Sequence, residues 1–389
     1  MRRSCRTQSR ACSAAILACA TTGILYAAGA QAEQWQITPT ASVVGEYSDN
    51  PRLLLENVEE AYGWLSDFQL GVTRATERTS IGLQSSLQYA RYTDENDYDR
   101  NDRSLALDIL HQAERSQWTA DVQFVRDNTL TSEFETTGLV RTNKIHEAFQ
   151  AAVGTTYQLT ESWTAGSKLS WASNHYRDAE FSDLTDYDYG RVSVFGELQA
   201  SDRSRWSLNA SASELHSDFE RPTTEDYSLM LRWTFVPREL WTVHASIGPS
   251  LSRSEVDEQD GAVYGLDVGR RSEKGSWSIA GSRERTPTGL GVLILADRLT
   301  LFTERALNET LNISLQGVAG RNRELLTAGG RRLELKFARL EARLGWELSR
   351  ELRCHFTLAG IEQNNVNTRR AQNYSISIGI SWNGESLYL

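Results

Sequence analysis

The chain has 389 residues, with 51 acidic against 41 basic side chains and a formal charge of −10. After residue 32 the longest apolar run is Val292–Ala296, far short of the ~18–20 apolar residues a spanning helix needs, which excludes a helical inner-membrane protein. Four cysteines and six prolines spread along the chain exclude a small disulfide scaffold and show no linker, so one continuous domain is expected.

The chain opens with Met1–Arg10, basic and free of acid, then an apolar run from Ala11 to about Ala28 and the triplet Ala30-Gln31-Ala32. Basic, apolar and small-residue regions in that order make a secretory signal peptide over 1–32, cleaved after Ala32. A retained anchor fits less well because the run is rich in Ala, Thr and Gly. A lipoprotein site at Cys19 fits less well still, because the run continues past it. Cleavage removes Arg2, Arg3, Arg6 and Arg10 and no acid, leaving 37 basic against 51 acidic residues, a charge of −14. It also removes Cys5, Cys12 and Cys19. Cys354 is then the sole thiol, and the domain over 33–389 must hold without disulfides.

From Gln36 onward, apolar residues recur at every second position. Ile81, Leu83, Leu87 and Tyr89 do so, as do Leu105, Leu107 and Ile109, then Phe149, Ala151, Val153 and Tyr157. The clearest run is Tyr227, Leu229, Leu231, Trp233 and Phe235, facing Trp241, Val243, Ala245 and Ile247 across a four-residue turn. One apolar and one polar face per strand suits a wall between lipid and a wet lumen. Trp118, Trp163, Trp206, Trp241 and Trp277 each follow a short charged turn. An indole places its apolar body in hydrocarbon and its N–H at a wet boundary, so this row predicts an interfacial girdle. The competing reading is a soluble β-protein with Trp at its hairpin starts.

Connections alternate in length. Short turns fall near 74–78, 113–116, 160–162, 201–204, 237–240, 272–275, 305–309 and 348–351, with longer polar segments between them. Bacterial barrels have short periplasmic turns and longer outer loops, so the tryptophans mark the periplasmic boundary. The count predicts an all-β, antiparallel up-and-down transmembrane barrel of about 18 strands, with 16 the alternative. Arg331–Glu351 is ambiguous: its residue types suit a helix, but Leu333, Leu335 and Phe337 alternate with charges, which fits a strand better, and a strand is expected. A change of phase near Ala338 predicts a bulge or register slip. The last strand sets Tyr374, Ile376, Ile378, Ile380 and Trp382 in alternation with Ser and Gly and resembles the insertion signal of outer-membrane barrels. It lies seven residues from the end.

Positions between the apolar ones are the expected lumen lining: Gln84, Gln88, Asp121, Gln123, Lys168, Arg191, Glu197, Arg232, Asp267 and Arg298. They form a mixed wall without one dominant sign, wide enough at this strand number for an aqueous channel. No long inward-folding loop or plug is evident in the sequence. The six histidines show no metal-ligand spacing, and no nucleophile elbow, phosphate loop or zinc motif occurs, so neither catalysis nor a cofactor is expected. Acidic clusters at Asp94–Asp99, at Asp183, Asp186 and Asp188, and at Asp257–Asp260 read as solvated loop charge rather than Ca²⁺ sites.

Three stretches carry a family resemblance: Gly45-Glu46-Tyr47-Ser48-Asp49-Asn50-Pro51-Arg52-Leu53; Arg126–Glu133 with Thr137–Val140; and Leu184–Tyr189. They resemble the outer-membrane β-barrel porins associated with exopolysaccharide and exosortase loci. The resemblance implies an outer-membrane barrel and a route for polysaccharide, and carries over no functional residue. The expectation is a passive channel, with a non-conducting adhesive or structural barrel as the rival and an enzyme third. Expected partners are outer-membrane lipid, the barrel-insertion machinery, and polysaccharide or export-complex proteins; no nucleic acid is expected.

Overall fold

A computed structural model describes residues 34–389 apart from 94–97, 138–142, 178–182, 219–221, 256, 326–333 and 366–369. The leader over 1–32, Asp94–Asp97 and Gly138–Val140 therefore lie outside the described residues.

The described chain is strand after strand. The first half holds β1 (Gln34–Ser48), β2 (Ala61–Ala75), β3 (Thr79–Tyr92), β4 (Arg100–Gln112), β5 (Ser116–Asn128), β6 (Ile145–Gln158), β7 (Trp163–Arg177), β8 (Tyr187–Ser201) and β9 (Ser204–Ser217). The second holds β10 (Thr224–Phe235), β11 (Trp241–Arg253), β12 (Glu258–Ser272), β13 (Gly275–Pro287), β14 (Leu293–Ala306), β15 (Leu311–Glu324), β16 (Glu334–Glu347), β17 (Leu352–Asn365) and β18 (Ala371–Asn383). Each pairs antiparallel with the next, and β18 returns to β1 from Thr40↔Asn383 to Ser48↔Ser375. The barrel thus closes at 18 strands, leaving no unpaired edge for lipid to meet.

Every short turn falls where the sequence places it. The tail folds back as a two-residue strand, β19 (Leu387–Tyr388), which pairs with β1 through Gln36↔Tyr388 and Ile37↔Leu387. Trp35 and Leu389 exchange backbone hydrogen bonds at 3.1 and 3.0 Å. The seven residues after Trp382 therefore extend the wall at the short-turn end.

Because directly opposed residues share a face, the registers carry sidedness around the whole sheet. One face presents Leu87, Val153, Leu169, Ile247, Leu299 and Ile378, with Ile247 63% and Ile378 67% exposed. An apolar surface running round all eighteen strands far exceeds the few hundred Å² a soluble monomer shows, and it needs hydrocarbon.

Within the ambiguous segment, Glu334–Glu347 is a strand, as the alternation favours, while Leu333 lies outside the described residues. One expectation about β16 is corrected: its register runs unbroken through Ala319↔Ala338 and Glu362↔Ala338, with neither bulge nor slip. Leu335 and Phe337 lie on the polar face of the wall, whereas Leu340, Leu344 and Trp346 lie on the apolar one. The phase change is a change in which face is apolar, and a segment inside the barrel causes it.

Candidate functional site: the lumen and an inward-folded segment

After β5 the chain turns into a one-turn helix, α1 (Thr129–Ser132), capped by Asn128, whose side chain accepts from the Leu130 N–H at 2.9 Å. Its base is pinned by Thr129 N–H to the Lys144 carbonyl (3.0 Å) and Lys144 N–H to Thr129 Oγ1 (3.1 Å). Beyond it, Tyr176 of β7 donates to Glu133 Oε1 at 2.5 Å, and Thr136 and Thr137 donate to Glu133 Oε2 at 2.6 and 2.9 Å. On the far side Asn322 of β15 donates to the carbonyls of Glu135 and Thr136, both at 2.7 Å. Arg298 of β14 pairs with Glu135 at 3.4 Å, and Phe134 meets Phe337 of β16 edge-on at 5.8 Å.

One short segment touches both β7 and β14–β16, which stand on opposite sides of an 18-strand ring. It reaches both only through the lumen. The contacted face is therefore the inner one, and the expectation of no inward-folding loop is corrected. Too short and too polar to show a period of its own, this segment reads in sequence as an ordinary outer loop.

Two further connections join it at the long-loop end. Leu53, between β1 and β2, packs with Phe134, Leu335, Phe337 and Ala371 in a buried apolar cluster. Leu53 holds a left-handed φ of 51°, a conformation that costs a Leu roughly 1 kcal/mol or more. Asn50 fastens this turn to the closing seam: its side chain bonds the Leu54 N–H and carbonyl and the Gln372 carbonyl, and its N–H donates to Asn373 Oδ1. Between β13 and β14, the Gly289 carbonyl accepts from Thr185 N–H at 2.8 Å. A Cβ at Gly289 would lie 2.6 Å from both Glu133 Oε1 and Tyr176 Oη, so any larger residue there would push that hydrogen-bonded pair aside. Within their described residues, the three stretches that carry the family resemblance all meet at this end.

The ten lumen candidates Gln84, Gln88, Asp121, Gln123, Lys168, Arg191, Glu197, Arg232, Asp267 and Arg298 stand on the face the inward segment touches. The structure sorts what sequence leaves mixed. Asp67, Asp102, Asp108 and Asp121 form an acidic arc on β2–β5, with Asp108 directly opposite Asp121. Like charges so opposed repel, and they require hydration or counterions. Lys168, Arg191, Arg205 and Arg232 form a basic arc on β7–β10, where Arg205 meets Glu197 at 3.3 Å and Arg191 donates to Ser211 at 3.0 Å. His146 lies between the arcs, bonded to Asp127 (2.8 Å) and Asn174 (2.9 Å) and stacked on Tyr176, a bonded wall residue.

On the outer face, Trp118, Trp163 and Trp206 are exposed one to three residues from short turns. Trp241 and Trp277 stand at the same level and pack edge-on at 5.5 Å. Tyr374, Ile376, Ile378, Ile380 and Trp382 are all exposed on this face of β18, each at least 38% accessible. In the acidic loops, Asp186 bonds His175 and accepts from Tyr176 N–H at 2.8 Å, so it serves local structure.

No family model matches the sequence, and no curated protein matches it. Solved structures do match the fold. OccK2 (OpdF) of Pseudomonas aeruginosa has a TM-score of 0.50 at 11% identity, over 90% of this chain and 98% of that one. A BenF-like porin from Pseudomonas fluorescens Pf-5 has a TM-score of 0.50 at 9% identity, over 91% and 99%. OccAB4 of Acinetobacter baumannii gives 0.49 at 9% identity, over 92% and 99%. At such identities the likeness is one of fold. Together with the closed ring and its apolar exterior, it makes this chain an outer-membrane β-barrel with the 18-stranded architecture of porins.

Proposed function

We propose that the chain is a passive, porin-like channel serving polysaccharide secretion, its hydrated lumen narrowed by residues 129–137. The observation that carries the reading is a polar inner wall with separated acidic and basic arcs, crossed by a segment anchored largely through hydrogen bonds. A barrel built only as scaffold gains nothing from opposed carboxylates such as Asp108 and Asp121, which favour a water-filled interior. The polysaccharide link rests on the resemblance of the three lumen-end stretches to porins of exopolysaccharide loci.

In this reading the ten charged and amide positions line the path, and the five turn-linked tryptophans form the periplasmic girdle. Tyr374 to Trp382 present the aromatic strand to the insertion machinery, and residues 1–32 are the cleaved leader. The rival is a closed barrel that binds glycan or protein through its outer loops. Planar-bilayer recording of the purified protein decides between them: steady single-channel steps support the channel, and their absence supports the closed barrel.

A further inference from the structure

We infer that the outward face of β14–β18 holds one phosphate-bearing lipid of the outer leaflet. Its acyl chain lies in a groove between strands, and its phosphate meets a basic row above that groove. The groove encloses about 460 Å³. Its floor is made by Gly317, Ala319, Ala338 and Gly360, and its walls by Leu299, Leu340 and Tyr374, all on the lipid side of the wall. Small side chains flanked by large ones leave a channel of acyl width in an otherwise filled surface. Arg370 and Glu362, an ion pair, stand at its upper end.

Directly above, Arg283, Asp297, Arg321 and Lys336 follow one another in register across β13–β16, facing outward. Arg283 and Arg323 share Asp297 at 2.5 and 3.2 Å, while Arg321 and Lys336 share Glu334 at 2.7 and 3.5 Å. Four cations on two carboxylates leave a surplus of two positive charges, on a chain whose total is −10. Arg321 and Lys336 keep 44% and 59% of their side chains exposed, open to a further anion.

The height fits a headgroup. Arg321 lies ten residues above Leu311, the first residue of β15. At roughly 3.3 Å per residue and a tilt near 40°, that is about 25 Å, the height of a barrel's apolar band. The row thus stands at the far boundary and the groove beneath it in the outer-leaflet half. A larger groove of about 820 Å³ near Val194, Ala210, Leu229 and Pro249 has a carboxylate, Asp260, at its rim, and it serves as an internal contrast. The inference rests on the long loops facing outward and does not depend on whether the lumen conducts.

The test uses the full barrel in maltoside micelles, incubated with bisphosphorylated lipid A and read by native mass spectrometry for one retained lipid. Folding of each variant is checked by heat-modifiable gel mobility. Retention is expected to fall on the order of tenfold in Arg321→Gln/Lys336→Gln, since two cations beside the headgroup are lost, each already partly paired with Glu334. Lys336→Gln alone should show a smaller loss, Lys336→Arg none, and Ala338→Leu, which fills the groove, a loss with the cations intact. Unchanged retention in the double variant or in Ala338→Leu overturns the inference. Displacement by inorganic phosphate, or equal retention of phosphatidylcholine, overturns it too. Conductance recorded on the same preparations reports on the channel separately, so the two readings can fail independently.

Discussion

Asn322 donates its side-chain amide to the Glu135 carbonyl at 2.7 Å, across 187 residues of sequence and the width of the lumen. The same amide reaches the Thr136 carbonyl, also at 2.7 Å, and Asn322 itself is fully buried. An antiparallel wall satisfies its own backbone through its ladders. A segment crossing the lumen has no ladder, so its carbonyls need donors from the wall, and Asn322 supplies them.

Replacing Asn322 by Ala should therefore loosen the segment without opening the barrel. Two carbonyls would lose their donor, at roughly 1–3 kcal/mol each if they stay buried and less if water enters. The expected result is a folded, heat-modifiable barrel whose single-channel conductance rises or becomes noisy. Deleting residues 130–137 in favour of a short Gly-Ser link should raise conductance further. If conductance stays at the parent value in both variants, the segment does not limit the path.

Glu133 and Tyr176 anchor the opposite side. Both are buried, and a hydrogen bond to a charged acceptor contributes about 1.5–3 kcal/mol, more than a neutral pair. Tyr176→Phe should cost less than Glu133→Gln, because Thr136 and Thr137 still donate to the carboxylate in the first and lose their charged acceptor in the second. A double-mutant cycle on thermal unfolding should show coupling between the two sites. Additive losses would place the bond outside the anchoring set.

Strand number and turn positions were legible because period-2 alternation and loop length are local signals. The inward segment was not. Residues 129–137 show no period, and whether a loop folds in or out depends on partners such as Asn322 and Phe337, nearly 200 residues away. Its one local trace was the phase change near Ala338, which has two physical causes in a barrel: a bulge, or apolar residues that face something inside. Leu335 and Phe337 belong to the second. The stretches Tyr47–Asn50 and Arg126–Glu133 were visible as motifs, while their meeting place emerged only from the closed ring.

The two lumen arcs predict ion selectivity that can be moved. Arg191→Glu/Arg232→Glu removes two cations from the basic arc and leaves the acidic arc on β2–β5 in place. The reversal potential in a KCl gradient should shift toward cation preference. The shift should shrink in 1 M salt, where screening acts over ~3 Å, against ~10 Å at 0.1 M. A shift that persists undiminished at high salt would point to a changed pore width instead of charge.

The C-terminal tail separates assembly from stability. Residues after Asn383 add one short pairing with β1, the Trp35–Leu389 backbone bonds, and the contacts of Ser386 with Gln36 and Thr38 at 3.0 and 2.9 Å, all at the short-turn rim. The long seam from Thr40↔Asn383 to Ser48↔Ser375 closes the barrel without them. Truncation after Asn383 should therefore leave a closed barrel, slightly less heat-resistant, and should bring the aromatic strand nearly to the terminus. Trp382→Ala in the full chain keeps every one of those backbone pairings and removes the exposed indole with its 3.3 Å hydrogen bond to the exposed Glu351. If Tyr374–Trp382 is what the insertion machinery reads, the substitution should lower the yield of folded barrel in cells and leave refolding into detergent unchanged. Truncation should lower neither. Equal losses in cells and in detergent would mean that Trp382 matters for packing against the boundary and carries no assembly signal.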